Sequence, residues 1–230
     1  EAARQGLPVA GNLPGVVKPT APSALRMASI EHLAIEIGGL CTLEQRSSCG
    51  PILRSLVRAH VEQTPTLIVR ETSTRFADPA FAEPPIVEWL PDAVKSYWRS
   101  DAKAAVARAT DDWRAARGLS MAHGRWMTRE LARMHATLLA GTDAGTPYVV
   151  PGESLHDELG LLVDAGLSPA EALRTATVNA ARFMNKKDKG VIAAGAEADL
   201  VLLSRNPLKD IRNTRSVIAV YRGGVRLALP

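Results

Sequence analysis

Short apolar runs recur along the first 143 residues, and a helix-like stretch follows each of the first three: "GLPVAG" (6–11), "SIEHL" (29–33), "TPTLIVRE" (64–71) and "TLLAGTD" (137–143). Runs this short, largely apolar or β-branched, read as strands covered on both faces. Strands covered on both faces and separated by helices pair in parallel, because a parallel neighbour can be reached only through a crossover. The spacing therefore predicts four βα units in an α/β fold. Polar residues stand where the runs end: Asn12, His32 and Asp143. A closed (β/α)8 barrel needs eight units in about 250 residues, and it collects functional groups from the C-terminal ends of its strands. Four units followed by a different texture make half of such a barrel, the half that comes last. A doubly wound open sheet is the competing architecture. It lacks support in a glycine-rich turn at the first helix, and it does not call for polar strand ends unit after unit.

The connecting stretches carry their own signals. "TAPSALRMA" offers a short helix, and "CGPILRSLVRAHVEQ" spaces Ile52, Leu56 and His60 or Val61 at near-helical intervals. Residues 72–91 are proline-rich, an irregular segment long enough to be a functional loop. Helices are expected over about 92–117 and 126–136. In "ESLHDELGLLVDAG" Ser154 reads as an N-cap with Asp157 at the capping-box position and Gly166 as the stop. "SPAEALRTATVNAARFM" restarts with Ser168 as cap, Pro169 at the first helical position and Glu171 three residues after the cap. Beyond the charged joint "NKKDKG" the chain turns to short strands and turn glycines. The boundaries read as 1–187 for the barrel-like region and 188–230 for a β-rich tail.

Composition narrows the function classes. Apolar residues make up 46% and charged residues 23%, which supports a real core in a chain of 230 residues. The net charge of +4 is interleaved with acids and aromatics are only 4%, so a nucleic-acid partner is not expected. No stretch approaches the roughly 18 apolar residues of a membrane span, so no membrane partner is expected either. Cys41 and Cys49 lie eight apart, a spacing compatible with one bridge or with two free thiols. The chain opens on Glu1, without a targeting segment, and reads as a piece of something longer or a processed product; cytoplasmic and exported locations both stay open.

His32 alone is more simply a core or capping histidine, and Asp143 alone a turn former before a glycine. At two strand ends of one barrel, however, an imidazole and a carboxylate supply ligands suited to zinc or a similar divalent ion. His156, Arg70, Tyr97 and Trp98 are weaker candidates. His156 is placed for substrate contact or for packing, Arg70 for a substrate carboxylate or for the surface, and Tyr97 and Trp98 for a lid or for the core. Asn179 and Arg182 read as packing and capping residues.

"SIEHL", "LLAGTDAGTP", "LHDELGLLVDAGLSPAEALRTATVNAARFM" and "GVIAAGAEADLVLLSRNPLKDIRNTRSVIAVYRGG" together resemble the metal-dependent amidohydrolase superfamily, in its imidazolonepropionase-like and Xaa-Pro-dipeptidase-like branch. The likeness covers nearly the whole chain and is weakest across 41–125. It implies a (β/α)8 TIM-type barrel with a small β-sandwich built from both chain ends, one or two divalent ions, zinc above all, and hydrolysis of amide-type C–N bonds in a dipeptide or other small molecule such as a cyclic amide. It implies that His32 is the sixth-strand metal ligand, and that Asp143 is the eighth-strand ligand and the base that accepts the proton of the attacking water. Asn12 stands where the fifth-strand histidine is expected, and the H-x-H pair and lysine of the first half are missing. Either the chain is the C-terminal half of an enzyme, needing its N-terminal half-barrel or a homo-oligomer partner, or it is an inactive remnant that has lost the metal site.

Overall fold

A computed structural model describes residues 1–13, 17–32, 41 and 46–228. Leu33, the last residue of the "SIEHL" run, and Leu229 and Pro230 of the tail lie outside them. Strands β1 (Ala10–Gly11), β2 (Ser29–Glu31) and β3 (Glu62–Thr64) form a parallel sheet in chain order. Its register pairs Gly11 with Ile30 and Ile30 with Gln63. A parallel bridge between Gln63 and Leu138 adds the fourth run beside β3. The Leu139 amide donates to Gln63 O at 2.9 Å, and the Gln63 amide to Thr137 O at 3.1 Å. Neighbours thus follow chain order through all four segments, without the order reversal of a doubly wound sheet.

Helix α1 (Arg46–Arg58) crosses from β2 to β3. Cys49, Leu53 and Leu56 recur on one of its faces and are fully buried with Ile30, Leu67, Met127, Leu131, Leu138 and Leu162 in the main core. Cys41 and Cys49 form a disulfide inside that core, with Cα atoms 4.8 Å apart.

The structure corrects the third strand. Pairing stops at Thr64, and Leu67–Glu71, expected to extend the strand, instead open helix α2 (Leu67–Arg75). Pro65 has no N–H with which to continue a ladder, and Thr66 turns the chain with φ 46°. The β-branched "LIV" run then becomes helical because tertiary packing outweighs a weak strand preference. Two further boundaries move. The paired helices are α3 (Asp92–Arg108) and α4 (Asp111–Arg133), broken at Ala109–Thr110 rather than near 117–126. Thr110 caps α4 by accepting the Trp113 amide at 3.2 Å, and Asp111 and Asp112 sit in its first turn, where the helix dipole favours anions. Helix α5 (Glu153–Asp164) begins after Gly152, so Ser154 lies inside it and accepts the Val150 amide at 2.8 Å instead of capping.

Helix α6 (Pro169–Ala176) carries the complete capping box: Ser168 Oγ accepts the Glu171 amide and Glu171 Oε2 accepts the Ser168 amide at 2.7 Å. Helix α7 (Val178–Phe183) follows, and Asn179 Nδ2 donates to Leu138 O at 3.0 Å.

The tail is a second, antiparallel sheet of β4 (Leu200–Leu203), β5 (Val217–Arg222) and β6 (Val225–Leu227). The β5–β6 hairpin closes on Gly223 and Gly224, with φ of 55° and 81°, the left-handed pair that a two-residue turn between twisted strands requires. The turn Ile211–Arg215 joins the tail to α5.

A smaller aromatic core gathers Phe76, Phe81 and Trp98 around Tyr148, whose ring lies 5.6, 4.9 and 5.4 Å from theirs. Trp98 is therefore a packing residue, while Tyr97 is exposed.

Candidate active site

The C-terminal end of the parallel sheet brings together His32 and Asp143, 111 positions apart in sequence. His32 follows β2, its amide bound to Thr64 O at 2.9 Å and its φ at 53°. Asp143 follows the fourth run, also with φ 53°, and Thr66 follows β3 with φ 46°. Left-handed conformations of residues other than glycine cost about 1–3 kcal/mol each and persist only where surroundings enforce them. Three of them at three successive strand ends mark this edge as a place where side-chain direction outweighs backbone comfort.

His32 Nε2 lies 3.7 Å from Asp143 Oδ2, with the imidazole mostly covered and the carboxylate half open to solvent (16% and 50% exposed). On the other side of the ring, Nδ1 is 2.5 Å from Thr66 Oγ1. The same hydroxyl lies 2.8 Å from Pro65 O; with its proton directed there it meets Nδ1 as an acceptor, and the ring proton then sits on Nδ1. Nε2 is then a bare acceptor facing a carboxylate oxygen, at a distance too long for a hydrogen bond. Such a pair is satisfied by a cation between its members. Thr146 Oγ1 donates to Asp143 Oδ2 at 3.2 Å and steadies the carboxylate.

Gly141 is what lets this run approach β3. A β-carbon there would stand 2.5 Å from Thr64 Cγ2. Gly145, at φ 112°, then allows the loop to turn back after Asp143.

The other sequence candidates lie elsewhere. Asn12 is exposed, one residue beyond β1 and level with Glu31 in register, one position short of His32. Among the described residues no group of three or more His, Cys, Asp or Glu side chains is placed to hold an ion. Arg70 is not at a strand end: it lies in α2, 4% exposed, with its guanidinium on Ser120. Burial, and then the neighbouring Arg117, lower its pKa to about 10. His156 Nδ1 is 2.9 Å from Thr214 Oγ1 in the tail, and burial followed by Arg215 holds it below the usual histidine range.

Two residues of this neighbourhood were not singled out from sequence. Thr66 is signalled only by the proline before it. Glu158 carries a clearer sign, a carboxylate four residues before the buried Leu162 on the core face of an amphipathic helix. It is fully buried; Oε2 accepts the Ile68 amide at 2.8 Å, and burial pushes its carboxyl up to about 7 against the opposing pull of the Ile68 and Leu67 amides.

The chain is similar to known proteins in sequence and in fold. Residues 115–227 match the model of the amidohydrolase family. Imidazolonepropionase of Deinococcus deserti is 35% identical over 114 residues, 48% of this chain and 27% of that protein. Among solved structures, a bottromycin amidohydrolase superposes with a TM-score of 0.74 at 29% identity, over 98% of this chain and 51% of the other. A Xaa-Pro dipeptidase with bound methionine superposes with a TM-score of 0.65 at 19% identity, over 99% of this chain and 46% of the other, a likeness of fold. The chain spans about half the length of these two structures. From residue 115 to residue 227, taking in Asp143, its loop, α5 and the tail sheet, the chain carries an amidohydrolase family domain.

Proposed function

We propose that this chain is the C-terminal portion of a metal-dependent hydrolase of amide-type C–N bonds, acting on a dipeptide or a cyclic amide. In this reading the parallel sheet is the second half of a (β/α)8 barrel spanning residues 1–187, and residues 188–230 contribute strands to a composite sandwich. The missing half-barrel, or a second copy, completes the site. The observation that carries the reading is His32 Nε2 facing Asp143 Oδ2 at 3.7 Å, at the strand ends where such barrels do their chemistry.

His32 and Asp143 would hold a divalent ion, zinc by their donor types, and at least one further ligand has to come from outside this pair. When bound, the ion lowers the pKa of water towards about 7 and polarises the scissile carbonyl. Asp143 takes the proton of the attacking water at its carboxylate and releases it to the leaving nitrogen. Thr146 keeps that carboxylate oriented between the two transfers, and Thr66 fixes the His32 tautomer that leaves Nε2 free.

Asn12 favours a second reading, a remnant whose metal site has decayed, because an exposed amide is a poorer zinc ligand than imidazole. Zinc content after dialysis, with and without Asn12→His, separates the two. The hydrolase reading expects zinc retained by the unmodified chain or by Asn12→His, and lost on His32→Asn or Asp143→Asn. Metal-free protein in both forms, with the missing half-barrel supplied, would favour the remnant.

A further inference from the structure

The start of α2 divides its labour in an unusual way. The first amides of a helix lack partners within the helix, and a Ser or Thr at the N-cap position normally accepts one of them through its hydroxyl. Thr66 occupies that position, yet its side chain makes no capping bond. Its left-handed backbone, φ 46° and ψ 50°, is not the extended conformation a capping threonine adopts. Its hydroxyl is engaged with Pro65 O and with His32 Nδ1. Of the amides it leaves behind, that of Ile68 is taken by the carboxylate of Glu158, from a helix 90 residues further along the chain. Glu158 has no exposed surface, and its second oxygen, Oε1, finds no partner among the described residues. A carboxyl group buried at such cost needs a return, and the return visible here is the freed threonine.

We propose that Glu158 is a positioning residue for the His32–Asp143 site: by capping α2 from α5 it releases the Thr66 hydroxyl from capping and holds it on Nδ1 of His32. The inference rests on the proposed ligand role of His32 for its purpose, but not for its geometry. The chain of contacts runs from Glu158 Oε2 to the Ile68 amide at 2.8 Å, through Thr66, to His32 Nδ1 at 2.5 Å, and ends with Nε2 at 3.7 Å from Asp143. Without the carboxylate, Thr66, at the N-cap position of α2, is the residue from which a hydroxyl would cap the orphaned amide. Return of its backbone to the extended capping conformation would turn its hydroxyl from the imidazole to the helix, leaving the ring without its Nδ1 partner.

The test uses the whole 230-residue chain, labelled with nitrogen-15 in its histidines and free of metal, and reads the His32 ring by long-range proton–nitrogen spectra. His32→Asn identifies the signals. The unmodified chain is expected to show one tautomer with the proton on Nδ1. Glu158→Leu and Thr66→Val should both convert it to a mixture, and Glu158→Gln, whose amide oxygen still accepts the Ile68 N–H, should restore the single form. Glu158→Asp serves where the leucine variant does not fold, since it keeps the charge but draws the oxygens back from Ile68. Zinc affinity by chelator competition gives the second readout. Glu158→Asp and Thr66→Val should each weaken it by about tenfold to a hundredfold, as loss of a ligand's hydrogen-bonding partner does, and the double variant by no more than either alone. Unchanged His32 signals in a folded Glu158→Asp or Glu158→Leu chain would overturn the proposal, as would additive losses in the double variant. Zinc binding indifferent to His32→Asn, alongside the expected ring changes, would overturn the metal reading and leave the positioning role standing.

Discussion

Glu158 ties the stability of this chain to pH in the direction opposite to that of a salt-bridged carboxylate. Burial raises its pKa from 4.5 to about 7 in the folded protein, so the folded state holds the proton more tightly than the unfolded chain does. The contribution is therefore complete below the unfolded value and is lost as pH rises through about 7, with a total on the order of 3 kcal/mol. Between about pH 5 and pH 8 the unmodified chain should lose stability from this group, and Glu158→Gln should flatten that part of the curve. Denaturant midpoints at the two ends of the range check it. Parallel curves for the two proteins would place the titration elsewhere. Single residues were legible in the sequence to the extent that their role is local. His32 and Asp143 could be named because each ends a short apolar run. Glu158 and Thr66 work through a contact spanning 90 positions, and sequence offers only the oddity of a carboxylate on an apolar helix face.

At the scale of elements, the fourth run reaches its place beside β3 because Gly141 has no side chain. Gly141→Ala would press a methyl group into Thr64 Cγ2, 2.5 Å away in a buried setting, at a cost of about 1–3 kcal/mol. The Thr64 carbonyl also holds the His32 amide, so the strain falls on the site itself. Thr64→Ser removes the obstructing methyl. The double variant should recover most of the loss, giving a coupling well beyond additivity in a thermodynamic cycle. A neutral Gly141→Ala, or strict additivity, would refute the close approach. The elements divide in the same way between what local chemistry announces and what packing decides. The capping box at Ser168–Glu171 and the glycine hairpin of the tail were readable because their residues satisfy one another within a few positions. The "LIVRE" stretch was not: its β-branched residues favour a strand, while Pro65 and a buried carboxylate from α5 impose a helix. The α3–α4 break was present in sequence as a threonine before two acids, Thr110 ahead of Asp111 and Asp112.

For the molecule as a whole, the open question is what covers its unfinished faces. The parallel sheet does not leave both edges bare. Beside Leu138, Asn179 Nδ2 takes the Leu138 carbonyl and the Ala140 amide donates to Thr175 O at 3.2 Å, so α6 and α7 close that margin. The tail sheet is different. Pairing of Val201 with Val220 and of Val220 with Leu227, with strict alternation along β5 and β6, puts Val201, Ile218, Val225 and Leu227 on one face. These residues are 58%, 46%, 67% and 42% exposed. A contiguous apolar face on a three-stranded sheet invites either a second sheet or self-association. Under the composite-sandwich reading, strands from the other half of the enzyme lie against it. The chain alone should then scatter light and bind apolar dyes. Val201→Lys with Ile218→Lys should suppress both without unfolding the parallel sheet, since neither residue belongs to the main core. The same pair should abolish association with a polypeptide carrying the missing half. If the substituted chain still aggregates while its helices melt as before, the sticky surface lies on the barrel side, and the β1 edge becomes the place where the other half docks.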